Sequence, residues 1–416
     1  MAMESDVELS SSKHKASKRI MFVATTPFAV NSFLAAHLKS MSKYYVITLC
    51  VNLHSYALDP QLKNFVEVVD IGFERKISPF MDVVSLVRLF FAIRRVRPIA
   101  IHSITPKAGI LSMLAGFLAR VPNRWHTFTG QVWSSKRGLS RFVLKGFDRI
   151  IVIFSTQVFA DSISQCCFLR DEKVVSENGI SILGPGSIAG VDVERFHPDQ
   201  AVRSSLRKEL GSRDETCVFL FVGRLVQDKG VFDLLCAYGK AVELFSGVEL
   251  WMVGPDEDGL LSELEKNGQP LDASIKWMGS TTVPEQYMMA ADVLVLPSYR
   301  EGFGSVLIEA GACGLPVVAY RIGGVIDAVD DGVSGLLVEC GNSVILSEKL
   351  LLLAADPRMR RTLGNKGRAR AVEHLRGIAG ELKMYDIREQ LLLPDYWNGI
   401  DENGTHTFTD QQTATV

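Results

Sequence analysis

No segment of this 416-residue chain reaches the ~20 consecutive apolar residues needed to cross a bilayer as a helix; the longest apolar stretch runs only from Ile110 to Ala119. A transmembrane helix is not expected. The opening segment MAMESDVELSSSKHKASKR is polar, mixed in charge and without an apolar core, which excludes a secretory signal or anchor there. The seven cysteines include no C-x-x-C pair and no His/Cys group at metal-ligand spacing, and their odd number argues against a disulfide framework. Apolar settings such as Cys217-Val-Phe-Leu-Phe-Val predict buried free thiols in a reducing compartment. Both familiar phosphate loops are missing as well. The first apolar run ends in Thr25-Thr26-Pro27-Phe28 with no glycine, Gly184-Pro-Gly186-Ser-Ile-Ala-Gly190 has the wrong spacing for a dinucleotide fingerprint, and no G-x-x-x-x-G-K-[ST] occurs. Hydride transfer and P-loop phosphoryl transfer are disfavoured, so any phosphate site is built differently.

What is present belongs to an ordinary globular protein: 47% hydrophobic and 22% charged residues, with 34 Gly and 15 Pro. The length allows two to four domains, and two is the working number. Charge is divided unevenly. Residues 1–150 hold 21 Lys and Arg against 9 Asp and Glu, whereas the remainder holds 24 against 38. A basic first half suits an anionic membrane face or phosphorylated substrates; nucleic acid is not expected, because no recognition motif accompanies the excess.

Short apolar runs alternate with longer segments of helical spacing. Arg19–Ala24, Tyr45–Val51, Ile99–Ser103, Asn123–Phe128 and Arg149–Phe154 read as strands, and Phe80–Val96 as a helix. After a polar stretch around Pro198 the pattern restarts with strands at Cys217–Val222, Val248–Val253, Ile275–Met278, Asp292–Leu296 and Pro316–Ala319. Val344–Ala354 and Gly377–Leu392 read as helices, the last able to cross back to the first domain. The expectation is an α/β protein with two doubly wound parallel sheets facing a central cleft, residues 19–198 and 199–397, flanked by tails at 1–18 and 398–416.

Two loops carry phosphate chemistry. Gly223-Arg224-Leu-Val-Gln-Asp-Lys229-Gly230 follows a strand; glycine permits close backbone approach, Arg224 offers a planar fork to phosphate oxygens and Lys229 a mobile charge. Taken alone, it reads equally as a solvated loop with a helix cap. In Pro297-Ser-Tyr-Arg300-Glu301-Gly302-Phe303-Gly304-Ser305-Val306-Leu-Ile-Glu309, a helix starting near Gly304 would aim the free amides of Ser305 and Val306 at the strand edge, an anion site. On one continuous helix Glu301 and Glu309 would sit about 80° out of register, so they converge only if Glu301 lies in the loop. There Glu301 could reach sugar hydroxyls while Glu309 accepts from a ribose diol. Asp256-Glu-Asp258 spells an acidic D-x-D but reads as a solvated loop, and no metal or other cofactor is expected.

These loops, with Ala310-Gly-Ala-Cys-Gly314-Leu-Pro316 and Gly323-Gly324…Gly332-Val-Ser-Gly335, resemble the retaining nucleotide-sugar glycosyltransferases with two Rossmann-like domains, the GT-B type. That resemblance implies that Arg224 and Lys229 hold the donor diphosphate, Glu309 the nucleotide ribose, and Glu301 lies beside the donor sugar. First-domain segments Ile101-His102-Ser-Ile-Thr105-Pro-Lys107, Trp125-His126-Thr-Phe-Thr129-Gly130-Gln131 and Gly186-Ser187-Ile-Ala-Gly190-Val-Asp192 resemble a bacterial subgroup acting on polyprenyl-diphosphate-linked sugars. Thr129 stands where many relatives have histidine, which makes His126 the candidate to contact the donor sugar; as a lone histidine it reads equally as a core residue. Phe28, Asn31, Lys107, Thr129, Gly130, Gln131, Ser187, Gly302 and Phe303 are the expected acceptor or donor-sugar region. The resemblance implies transfer from a nucleoside diphosphate sugar, UDP-linked, to an undecaprenyl-diphosphate-linked saccharide, by a protein peripheral on the inner face of the cytoplasmic membrane. Lys136, Arg137, Arg141 and Lys145 among apolar residues, and four arginines in Arg88–Arg97, would meet anionic lipid, or read equally as the cationic outer faces of ordinary amphipathic core helices. A sugar-nucleotide epimerase of the same architecture and a non-catalytic nucleotide-sugar-binding subunit remain the alternatives.

Overall fold

The computed structural model describes residues 18–54, 56–74, 78–182, 186–266 and 271–375. The tails, the Gly377–Leu392 segment and Gly184 lie outside the described residues.

Residues up to 182 build one sheet, with strands β1 (Arg19–Val23), β2 (Val46–Val51), β3 (Glu67–Asp70), β4 (Ala100–Ser103), β5 (Asn123–Phe128), β6 (Gln157–Ala160) and β7 (Ser181–Ile182). Its order is β3-β2-β1-β4-β5-β6-β7 and every pairing is parallel. Helices α1 (Pro27–Phe33), α2 (Ala35–Met41), α3 (Pro79–Val96), α4 (Pro106–Leu118), α5 (Gly138–Phe154) and α6 (Ile163–Asp171) connect the strands. The second sheet has order β10-β9-β8-β11-β12-β13, again parallel throughout. Its strands are β8 (Cys217–Val222), β9 (Val248–Val253), β10 (Ile275–Gly279), β11 (Val293–Leu296), β12 (Val317–Arg321) and β13 (Gly335–Glu339). Around it lie α7 (Gln200–Glu209), α8 (Val231–Leu244), α9 (Leu260–Lys266), α10 (Pro284–Ala290), α11 (Ser305–Ala312), α12 (Val325–Ala328), α13 (Ser343–Ala355) and α14 (Pro357–Arg370). Both sheets are doubly wound, as the alternating pattern predicts.

Burial on both faces explains the strand sequences: Phe219, Leu220 and Phe221 are all fully buried, so β8 reads as a continuous apolar run rather than an alternating one. The chain order reverses between β1 and β4 in the first sheet and between β8 and β11 in the second. Loops leaving the carboxyl ends of these four strands therefore line the crevice where open α/β sheets take ligands.

Two expectations fail here. Arg149–Phe154 is the last part of α5, not a strand; its β-branched run packs Ile151 into the core and leaves Ile153 at the surface, a helical division. The strand is Gln157–Ala160 instead. Three of the seven free cysteines, Cys167, Cys236 and Cys340, are exposed rather than buried. Among the described residues no helix is long and apolar enough to cross a membrane.

Candidate active site

The second-domain part of the site forms where the loops after β8 and β11 meet. Gly230 has φ +68°, and a Cβ there would fall 1.9 Å from the Pro297 carbonyl oxygen, so only glycine lets these loops pack so closely. The approach brings Lys229 Nζ within 2.5 Å of Glu301 Oε1. Arg224 Nη1 lies 2.7 Å from Glu257 Oε2, and the other oxygen of Glu257 accepts from the Tyr56 hydroxyl of the first domain at 2.5 Å. Both cations expected to meet a diphosphate are thus held at the sheet edge by carboxylates.

Helix α11 begins at Ser305, with Gly304 in the left-handed region as its N-cap and no side chain capping it. Its first amides and positive dipole end are presented at the same edge. Glu301 lies in the loop and Glu309 one turn into the helix, the division between loop and helix that the sequence calls for. Burial pushes the Glu309 carboxyl up to about 7, Arg195 opposes the rise and Glu285 adds to it.

Across the cleft, Thr129 and Gly130 reach the Glu301–Gly302 loop. A Cβ on Gly302 would sit 2.6 Å from the Thr129 carbonyl oxygen and 2.9 Å from Asp161 Oδ2, so the two domains touch through bare backbone. Thr129 Oγ1 donates to the Ile104 carbonyl at 3.0 Å, and Lys107 Nζ bonds Asp82 Oδ1 at 2.7 Å. Phe28 is exposed at the rim, its ring 5.7 Å from that of Tyr56. Asn31 uses both ends of its amide to brace the neighbouring loop, donating to Ala57 O and accepting from Asp59 N. Gln131 is buried; its Oε1 accepts from Gln165 Nε2, and its own Nε2 has no partner.

Three further expected site residues are buried. His126 is 1% exposed, its ring packed on Gly109, Ile151 and Phe128 and bonded to Ser103 Oγ at 2.8 Å. Burial lowers its pKa to about 3, so it is a neutral core residue between sheet and helices and not a cleft residue. Ser187 is equally buried, its hydroxyl accepting from Gly190 N at 3.1 Å. Phe303 fills the second domain's core. The acidic D-x-D is solvated only in part: Asp258 is exposed as expected, whereas Asp256 accepts from the amides of Leu260 and Leu261 at the start of α9, and Glu257 between them holds Arg224. Among the described residues no group of three or more His, Cys, Asp or Glu is placed to hold a metal ion.

Sequence reasoning missed Asp161, Glu257, Tyr56 and the pair of Ser164 and Asp327. The Ser164 amide and hydroxyl both donate to Asp327 Oδ2, at 2.9 and 2.5 Å, joining the domains at the start of α6. Asp161 follows β6 directly, and that strand was hidden by the misread Arg149–Phe154; with it placed correctly, Asp161 falls on the carboxyl edge.

The sequence profile described as glycosyl transferases group 1 matches residues 202–370. The capsular polysaccharide biosynthesis glycosyltransferase CapM of Staphylococcus aureus is 30% identical over 72% of this chain and 79% of its own length. A Campylobacter jejuni N,N'-diacetylbacillosaminyl-diphospho-undecaprenol alpha-1,3-N-acetylgalactosaminyltransferase is 26% identical over 77% and 85% respectively. A D-inositol 3-phosphate glycosyltransferase of Kribbella flavida is 36% identical over 46% of this chain and 47% of that protein. Among solved structures, sucrose-phosphate synthase from Thermosynechococcus elongatus superposes with a TM-score of 0.73 at 20% identity, covering 90% of this chain and 99% of that one. Anabaena HepE, solved with UDP and glucose, gives 0.71 at 20% identity, with the same coverage.

Proposed function

Since the chain belongs to the glycosyl transferases group 1 family, we propose that it transfers a hexose or N-acetylhexosamine from a UDP-linked donor to an undecaprenyl-diphosphate-linked saccharide, with retention of configuration. The observation that carries the reading is that the loops after β8 and β11 meet at the switch point of the second sheet: Arg224 and Lys229 lie on the first, Glu301 and the α11 start on the second, and Lys229 bonds Glu301 across them. A diphosphate entering there replaces Glu257 and Glu301 as the partner of the two cations, and the α11 amides receive its remaining charge. The donor chemistry is supported by the UDP bound in HepE, the acceptor class by the undecaprenol-linked substrate in the Campylobacter relative's name. In transfer, the acceptor hydroxyl oxygen bonds the anomeric carbon as the bond from that carbon to the diphosphate oxygen breaks, and the acceptor's proton passes to the departing diphosphate. Attack from the face being vacated retains configuration. Charge on the leaving group is met by Arg224, Lys229 and helix amides, without recourse to a metal.

The acceptor's lipid would place the protein at the inner face of the cytoplasmic membrane. Apolar side chains stand exposed along α5 at Leu139, Phe142, Val143 and Ile153 and along α3 at Phe80, Val83, Val87 and Phe91. Lys136 and Arg137 are exposed beside them, whereas Arg141 and Lys145 are not open to lipid as expected from sequence: both bond Glu172 and lie over the Trp133 ring.

The test is nucleoside diphosphate release from UDP-, GDP- and ADP-sugars with EDTA present, offering a synthetic sugar-diphosphate-lipid, inositol 3-phosphate, or no acceptor. Release from a UDP-sugar that needs the lipid acceptor and vanishes in Glu309→Ala is expected. Release that needs inositol 3-phosphate replaces the acceptor class. Binding without release makes the protein a nucleotide-sugar-binding subunit, and epimerised donor without release makes it an epimerase.

A further inference from the structure

At the carboxyl end of β6, Asp161 is 4% exposed and is held through its amide, which donates to the Phe128 carbonyl at 3.1 Å, its own carbonyl and its carboxylate. Its Oδ1 accepts from the Ile188 amide at 2.5 Å, and its carbonyl oxygen accepts from the Ser187 amide at 2.7 Å. Its own amide lies 3.0 Å from Gln165 Oε1, and Gln165 passes the connection to Gln131. Its Oδ2 lies against Gly302 of the second domain. The turn it holds is strained: Ser187 has φ +59°, a left-handed conformation that costs a non-glycine residue energy unless its surroundings enforce it. The next-door Gly186 supports the Phe303 ring, where a Cβ would come within 2.8 Å of Cε2.

We propose that Asp161 is a positioning residue: by clamping the Gly186–Ile188 turn it seats the Glu301–Phe303 loop and so fixes where Glu301 meets the donor sugar. The proposal rests on the donor-sugar role given to Glu301 above. Two strands of connection reach that loop from Asp161, one direct to Gly302 and one through the turn to Phe303. Glu301 faces Asp161 from the second domain with Lys229 as its own partner, and His37 bonds the Ile188 carbonyl behind the turn. Burial and the nearby Glu301 push the Asp161 carboxyl up to about 7 against the Ile188 amide, so the clamp changes charge near neutrality.

Asp161→Asn keeps an acceptor for the Ile188 amide and abolishes the ionisation; Asp161→Ala removes both. In hydrogen exchange on the full chain, Asp161→Ala should speed exchange at Ser187, Ile188 and Gly302–Gly304, and Asp161→Asn should not. This readout needs no substrate, so it stands whatever the reaction proves to be. In turnover with the donor and acceptor that the release assay selects, Asp161→Ala should lower kcat by about 10- to 100-fold with UDP affinity unchanged, as expected for a displaced group at the reacting centre. Asp161→Asn should recover most of that rate and lose the inflection near pH 7 in kcat at saturating donor, where the Glu309 ionisation that governs donor affinity no longer counts. Unchanged exchange at Gly302–Gly304 in Asp161→Ala overturns the proposal, as does a loss of UDP affinity equal to the loss of kcat. An Asp161→Asn variant as slow as Asp161→Ala, with the inflection retained, overturns it too.

Discussion

Arg224 and Lys229 are paired with Glu257 and Glu301 through single hydrogen bonds of 2.7 and 2.5 Å, so a bound diphosphate that loses either cation also faces the carboxylate left unpaired. Charge-assisted bonds of this kind are worth about 1.5–3 kcal/mol, so Arg224→Ala or Lys229→Ala should weaken UDP roughly 10- to 100-fold in calorimetric titration. Arg224→Lys should recover little, because a point charge cannot reproduce a planar fork. Glu309 makes a different prediction, one of pH. Its carboxyl titrates near 7, and a ribose diol needs the ionised form as acceptor. UDP affinity should therefore rise between pH 6 and pH 8, and in Glu309→Gln the affinity should be low and independent of pH over that range. A wild-type affinity that falls with pH would remove Glu309 from ribose binding.

Helix α5 has two unlike faces, with Asp148 and Ile151 against the sheet and Leu139, Phe142, Val143 and Ile153 in solvent. Apolar side chains beside Lys136 and Arg137 suit insertion at an anionic interface. Phe142→Glu with Leu139→Glu should abolish cosedimentation with vesicles containing anionic lipid while leaving UDP affinity within about twofold, since both side chains stand in solvent on the first domain and the diphosphate loops belong to the second. Cosedimentation equal to wild type would remove this helix from any membrane role. This element also marks where sequence reasoning stops. Each second-domain motif sits in a single βα loop, where Gly, Pro and charge at fixed spacing report local geometry, and Arg224, Lys229, Glu301 and Glu309 were legible for that reason. In the first domain the outcome depended on packing. Ile150-Ile-Val-Ile has strand composition, yet tertiary contacts made it helical. His126 lies on a strand buried on both faces, where no alternation tells which side chains turn toward a ligand. Asp161 could not be placed until β6 was.

The whole molecule closes its cleft through a few polar and backbone contacts: Ser164 with Asp327, Tyr56 with Glu257, and Gly302 with Thr129 and Asp161. Folding buries carboxyls, and this gives stability a definite pH dependence. Asp161 and Glu309 are pushed up to about 7, and Asp148, beneath Trp133, to about 6, in each case by burial first. A carboxyl whose folded pKa exceeds its unfolded value holds its proton more tightly when folded. Its contribution is most favourable below about pH 4, is lost as pH rises toward the folded pKa, and is constant beyond it. Glu172, Glu249 and Asp272 are shifted down and act oppositely, but their gain is complete a little above pH 4. Buried His126, pushed down to about 3, also gains stability as pH rises to about 6.5, but it is one group against three carboxyls below pH 6 and two above, so thermal stability should fall between pH 5 and pH 7.5. Asp161→Asn, which fixes the neutral form, should flatten the slope and raise Tm by a few °C at pH 8 while changing it little at pH 5. UDP should reduce the slope further if Glu309 ionises on binding, because the ligand then supplies at high pH the partner that the carboxylate lacks. Thermal scans from pH 5 to pH 8, with and without UDP, measure all three effects. A stability that rises across that range would mean that these carboxyls are ionised and paired in the closed protein.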